Sequence, residues 1–481
     1  KKILKRTSSF SILFVIGQEF LRLTVISCYG FLLLITNVFG LKTIRRFFKE
    51  MRNYSPYHID GIPKLSEAIP LGLQHVLAMF VSNLTPVIIV TGVLNVPMDV
   101  KTNLIQACML IAGINTLVQA YTIGPVGARL PIVVGISFTF VPVAISIGTK
   151  YGMEGILGAV MVGGLFEACI GFCMKKIRRF FPPVVTGVVV LSIGLSLIPV
   201  GINSFAGGVG ASDFGSLTNL GLGAAVLTVV IVLKQFTKGI TSTGSVFIGT
   251  VFGFIVALIF GLTDLSPIKE MPFVSIPRPL SYGFAFHADA IFAMMMMFIV
   301  SAVETVGDMS GVTMGGAGRE VTDRELSGGI MADGLGCVLA SIFSILPTTS
   351  FSQNTGIVTM TGVMSRFVVG VGAMFLIAGA FFPKLGALLT VVPSSVIGGS
   401  LVMIFAMIFI SGVNLITKEP LRGKNAVILS VSLGVGYGLG AVPGALVNFP
   451  ESIRLIFGGS GIVVSASIAV ILNILLPNDK K

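Results

Sequence analysis

Thr348-Thr349-Ser350-Phe351-Ser352-Gln353-Asn354-Thr355-Gly356 is a run of hydroxyls and amides with one aromatic ring. It lies inside an apolar stretch from about Pro347 to Val358. Ser137-Phe138-Thr139 sits in a comparable setting within Leu130–Ile147. Both stretches are rich in Gly, Pro, Ser, Thr and β-branched residues, which make poor helices and favour extended backbone. Irregular backbone at membrane depth is tolerated only where protein buries it or where it lines a cavity. Short, interrupted spans at matching positions in two halves of a chain therefore point to a transport site.

Outward from these two segments the chain is apolar almost throughout. Of its 481 residues 54% are hydrophobic and 11% charged, and the mean hydropathy is +0.98. Soluble domains carry roughly 25% charged residues. Apolar runs of about 15–25 residues recur, each long enough for a membrane helix. About fourteen spans can be laid down after residue 65 on this criterion. The first half holds Ile69–Val90, Leu104–Ala120, Leu130–Ile147, Gly155–Met174, Val184–Val200, Leu220–Leu233 and Val246–Leu262. The second holds Ala290–Val306, Gly329–Phe343, Pro347–Val358, Phe367–Phe382, Leu388–Ile410, Ala426–Leu439 and Ile462–Leu476. The fold class expected is an all-α polytopic membrane protein of two inverted seven-span repeats, with short extended stretches in spans 3 and 10.

Charge placement agrees with an even number of spans. Lys101, Lys150, Lys269, Arg278, Lys384 and Arg454 fall on one side. Most other basic residues fall on the opposite side, including Arg129, Lys175, Lys176, Arg178, Arg179, Lys234, Lys238, Arg319, Arg324, Arg366, Lys418, Arg422 and Lys424. That side is expected to be cytoplasmic, together with Lys480, Lys481 and the basic cluster between Lys42 and Arg52. The net charge of +12 does not indicate nucleic acid, because the basic residues sit in short loops rather than on one face or arm. Cys28, Cys108, Cys169, Cys173 and Cys337 all lie in apolar stretches without ligand spacing, so they are read as small buried side chains and no metal or cofactor is expected. Residues 1–64 contain a further apolar run with Glu19 and Arg22 in it, and are read as an accessory segment.

Ionisable groups at membrane depth are costly, so they are candidates for function. Glu167, Glu304, Asp308 and Asp333 qualify, with Gln74 and His75 in the first span. Glu304 and Asp308 are four residues apart and share one helix face. Two carboxyls so placed in a low-dielectric setting compete for ionisation, which suits a proton-coupled carrier. Gln353 and Asn354 can donate and accept at once, a match for a planar heterocycle with alternating N–H and C=O edges. Phe138 and Phe351 are candidates to pack on its faces. Met294–Met297 is read as a soft packing surface rather than a metal site.

These residues resemble the signatures of the nucleobase–ascorbate transporter family. Gln353-Asn354-Thr355-Gly356-Ile357-Val358-Thr359-Met360-Thr361-Gly362 is similar to its Asn-x-Gly signature. Gln74-His75, Gly135-Ile136-Ser137-Phe138, Glu304-Thr305-Val306-Gly307-Asp308 and Ala332-Asp333-Gly334 resemble its other motifs, in the same order, over about residues 65–478. The resemblance implies an elevator-like carrier. Its core domain would be 65–180 and 288–384 (spans 1–4 and 8–11), and its gate domain 181–287 and 385–478 (spans 5–7 and 12–14). It would often be a homodimer through the gate. Carried over, Glu304 and Gln353 would hold the base, with Phe138, Ser137, Phe351, Ser352 and Asn354 completing the substrate site. Glu304, Asp308, Asp333 and His75 would support proton coupling, with sodium less favoured. Gln353 together with Gly362 resembles the xanthine and uric acid group, where uracil carriers tend to have Glu at the first position. The expected function is proton-coupled uptake of xanthine or uric acid across a bacterial inner membrane.

The alternatives are a uracil or other nucleobase symporter of the same family, or a sulfate or bicarbonate carrier of the same fold. An anion carrier would place a basic residue or bare helix N-termini between spans 3 and 10. Neither segment contains Lys or Arg. A membrane-embedded protease is disfavoured because Asp308 lacks the first Gly of Gly-x-Gly-Asp and no His-Glu-x-x-His occurs.

Overall fold

The computed structural model describes residues 55–177, 180–450, 453–458 and 461–477. Most of the accessory segment, the basic cluster of residues 42–52, Cys28, Arg178, Arg179, Lys480 and Lys481 lie outside the described residues.

Helices α1 (Leu65–Val93) and α2 (Met98–Tyr121) lead into a short strand, β1 (Val134–Ile136), and a single 3-10 turn over Phe138–Phe140. Helix α3 (Val141–Ile177) follows and is broken at Gly152, whose φ of 71° and ψ of −173° separate two helical segments. Next come α4 (Pro183–Phe205), α5 (Leu217–Phe236) and α6 (Ser245–Ile259). After an extended loop come α7 (Ala288–Ala317), α8 (Asp323–Ile342), strand β2 (Thr348–Ser350) and the ten-residue α9 (Ser352–Thr361). The chain closes with α10 (Arg366–Ala380), α11 (Pro383–Thr390), α12 (Ser394–Ile416), α13 (Gly423–Ala441) and α14 (Gly461–Leu475). Eight of the described helices are long and apolar enough to cross a membrane, or up to nine if α10 and α11, bent by 84°, form one span.

The two polar stretches fold as their composition suggests. Pro131 precedes β1, the β-branched run Ile132-Val133-Val134 leads into it, and Pro347 precedes β2. The strands pair antiparallel, with Val134 opposite Ser350, Gly135 opposite Thr349 and Ile136 opposite Thr348. A two-stranded sheet in a membrane protein leaves outer edges that no water can satisfy. Buried side chains close them here. Asn83 Oδ1 accepts from Ile136 N at 2.7 Å, and Thr116 Oγ1 accepts from Val134 N at 3.0 Å. Cys337 Sγ accepts from Thr348 N at 3.2 Å and donates to Thr348 O at 3.0 Å.

Helix packing falls mainly into two sets. One joins α1, α2, α3, α7, α8, α9 and α10; the other joins α4, α5, α6, α12, α13 and α14. Small residues bring the helices close, as expected where lipid removes the hydrophobic drive between them. A Cβ at Gly72 would lie 2.8 Å from Val368 O, and one at Gly164 would lie 2.7 Å from Gly334 O. The start of α8 is fixed by a capping box. Thr322 N donates to Glu325 Oε2 at 2.9 Å while Glu325 N donates to Thr322 Oγ1 at 3.3 Å.

Residues 55–64 dock on the start of α10. Pro56 O accepts from Met364 N and Ser365 N, and Gly61 O accepts from Ser365 Oγ at 2.6 Å. Asp60 pairs with Arg366 and with Arg129. Met294 and Met297 are fully buried packing residues. Cys108 and Cys337 are buried, but Cys169 and Cys173 are exposed on α3, a correction to the uniform buried reading.

Candidate functional site

β1 and β2 pack against α1, α2, α7 and α8 of the first helix set, and each is followed by the start of a helix. Phe138–Phe140 turns into α3, and Phe351 precedes α9. Two helix N-termini, with N–H groups free of intrahelical partners, therefore converge on one place. Against them stands Glu304 on α7. Its Oε2 accepts from Thr139 Oγ1 at 2.9 Å, and it is 7% exposed.

The cleft between these groups is lined by Ser137, Phe138, Glu304, Ser352, Gln353 and, from the other helix set, Ile193 and Ile408. It encloses only about 20 Å³. Ligand pockets are roughly 300 Å³ or larger, so the cleft is closed to a ligand of that size in this arrangement of α4 and α12. The Phe138 ring meets Phe405 of α12 edge to face, with centroids 5.0 Å apart. Gln353 lines this cleft and also a larger cavity of about 460 Å³ that lies between α9, α12 and the end of α5.

The structure brings together Ser137, Phe138, Phe351, Ser352, Gln353 and Glu304 of the expected site residues. The Phe351 ring, however, packs with Val76, Met79, Ala112 and Val133 behind β1. A Cβ at Gly135 would lie 2.5 Å from Phe351 Cε2, so the absence of a side chain at Gly135 admits the ring.

Asp308 and Asp333 take structural partners. Asp308 Oδ2 accepts from Ser350 Oγ at 2.6 Å, which ties α7 to β2. Asp333 is fully buried and accepts from Thr305 Oγ1 at 2.6 Å and Gln119 Nε2 at 2.9 Å. Thr305 Oγ1 also lies 3.2 Å from Thr349 Oγ1, so Asp333 reaches β2 through one hydroxyl. His75 and Asn354 form a separate pair. Asn354 Nδ2 is 3.0 Å from His75 Nδ1 and donates to His75 O at 3.2 Å. Glu167 is fully buried outside the cleft lining. Among the described residues neither of its oxygens meets a hydrogen-bond partner at normal geometry, and the Ser301 hydroxyl donates to Thr349 Oγ1.

Several supporting residues carry no role in the sequence reading: Asn83, Asn115, Thr116 and Gln119, and also Thr139 and Thr305, which appear there only inside longer motifs. Asn115 Nδ2 donates to Thr348 Oγ1 at 3.0 Å. The available signal was the polar stripe Asn115, Thr116 and Gln119 on one face of an apolar helix. The helix N-termini also weaken one expected contrast. They are a feature an anion carrier would share, so the distinction rests on Glu304 and on the lack of Lys or Arg in the cleft lining.

A family model named Xan_ur_permease, described as a permease family, matches residues 66–445. A xanthine permease of Bacillus subtilis is 35% identical over 417 residues, covering 85% of this chain and 93% of that one. The uric acid permease PucJ of the same organism is 35% identical over 419 residues, covering 85% and 93%. Among solved structures, the transmembrane domain of the cyanobacterial bicarbonate transporter BicA superposes with a TM-score of 0.52 at 16% identity, covering 85% of this chain and 98% of that one. That likeness is one of fold.

Proposed function

The chain belongs to the nucleobase–ascorbate transporter family, and on that premise we propose that it takes up an oxidised purine base, xanthine or uric acid, by proton symport. Membership makes it a multi-pass membrane transporter and not an enzyme. The observation that carries the purine reading is the pairing of a carboxyl, Glu304, with a side-chain amide, Gln353, across a cleft at two helix N-termini. Glu304 accepts from ring N–H groups. Gln353 and the backbone N–H groups at the start of α9 serve carbonyl and imine edges. Ser137 and Ser352 close the rim, Phe138 covers one face, and Phe351 supports the strand beneath. Asn354 sets the position of His75. The relatives' names favour xanthine and uric acid over uracil.

Proton coupling follows from Glu304. A charged carboxylate is expensive to move through an apolar gate. Protonation neutralises the carboxyl, and base binding then permits the step; loss of the proton inside releases the base. Asp308, Asp333 and His75 hold the surroundings of that proton. The two packing sets support an elevator in which a core domain (65–180 and 288–384) moves against a gate domain (181–287 and 385–478) in two inverted repeats of fourteen spans. The gate also serves a homodimer interface. The protein resides in a bacterial inner membrane with both ends of the core in the cytoplasm. Glu304→Gln tests the coupling: gradient-driven accumulation in proteoliposomes should vanish while exchange of base persists. Undiminished accumulation would overturn it.

A further inference from the structure

The cavity of about 460 Å³ below Gln353 contains a charged group that the transport reading leaves unused. Its walls are mostly apolar, with Ile404, Met407 and Met360 among them. Its polar lining includes Ser411 and Asn414 on α12, Gln353 on α9 and, from the last turn of α5, Lys234. Lys234 is half-buried, and no Asp or Glu lines the cavity. No ion pair to Lys234 occurs among the described residues. Lys238, four residues on, is exposed. A cation half out of water without a counter-ion draws an anion, and low-dielectric walls strengthen the attraction.

We propose that this cavity is an anion-selective vestibule in which the Lys234 ammonium holds a deprotonated purine between the inner cleft and the aqueous side. This rests on the purine reading above. Uric acid is an anion at neutral pH, whereas hypoxanthine is neutral there. The inner cleft and the vestibule thus have opposite preferences: Glu304 rewards N–H donors, and Lys234 rewards negative charge. Gln353 borders both and hands the planar base from one to the other. Asn414 and Ser411 face Lys234 from α12 and supply hydrogen bonds to the ring edge.

The test is equilibrium binding of labelled urate and labelled hypoxanthine to the purified full chain in detergent, at low and high salt. Lys234→Met should weaken urate about tenfold and abolish the salt dependence of urate binding, the loss expected for one partly desolvated charge. Hypoxanthine should change less than twofold, which also reports that the variant is folded. Lys234→Arg should retain most of the urate affinity. Equal weakening of both ligands, or unchanged urate affinity in Lys234→Met, overturns the vestibule. Gln353→Ala separates the two readings: it should weaken both ligands. If it leaves both unchanged, the inner purine site is wrong, whatever Lys234 does.

Discussion

Gly135→Ala should cripple the protein, whereas Gly356→Ala should not. At Gly135 a new Cβ would meet Phe351 Cε2 at 2.5 Å, Asn83 Oδ1 at 2.6 Å and Met79 Cε at 2.7 Å. Ordinary carbon contacts lie at about 3.5–4.0 Å, so roughly 1 Å must be found in three directions at once. Met79 can swing its terminal methyl. The Phe351 ring is buried among its neighbours, and Asn83 cannot move without releasing Ile136 N. Overpacking costs about 1–3 kcal/mol. An orphaned buried N–H adds about 1–3 kcal/mol. Even a sum near 2 kcal/mol corresponds to a roughly 30-fold loss of correctly formed site. At Gly356 a Cβ has no atom within 4 Å, and Ala in a helix gains about 0.5–1 kcal/mol over Gly. The assays are thermal unfolding in detergent and the KM for xanthine uptake in proteoliposomes. Wild-type melting and KM in Gly135→Ala would refute the placement of Phe351 under β1.

Three further perturbations are sharp enough to check. Thr139→Val removes the hydroxyl that donates to Glu304 Oε2, and xanthine uptake should fall about tenfold while Thr139→Ser stays near wild type; initial-rate uptake decides. Asp333→Asn leaves Thr305 and Gln119 competing for fewer acceptor sites, so it should lower the melting temperature. Combined with Thr305→Val it should cost less than the sum of the two single variants; additive losses would show that the two do not act through one another. Arg366→Lys loses the fork that reaches both Asp60 and Ala120 O, and should lower the melting temperature while changing the KM for xanthine less than twofold.

The interrupted segments were legible because their composition conflicts with a continuous helix. Val133-Val134-Gly135 and Pro347-Thr348-Thr349 favour extended backbone, and β1 and β2 lie there. Glu304 and Gln353 were legible because polar groups at membrane depth need a reason to be there. What closes the strand edges was not legible. Asn83, Thr116 and Cys337 come from three different helices, and no local pattern states that their side chains meet the same sheet. Cys337 looked like a small apolar residue because a thiol's weak donor and acceptor capacity leaves no mark on hydropathy. Cys169 and Cys173 sit in an apolar stretch but face outward, since lipid-facing and buried positions have similar composition in a membrane helix. Phe351 was legible as a neighbour of the cleft, which it lines, but not the packing of its ring into the space that Gly135 leaves behind the strand.

Uptake of radiolabelled xanthine into proteoliposomes, with and without an inward proton gradient, tests the central claim most directly. Unlabelled uric acid, uracil and sulfate serve as competitors, and Glu304→Gln and Gln353→Ala run alongside. The account predicts accumulation that depends on the gradient, is blocked by uric acid but not by uracil or sulfate, and is lost in both variants. Xanthine left untransported while labelled uracil or sulfate is carried would contradict it.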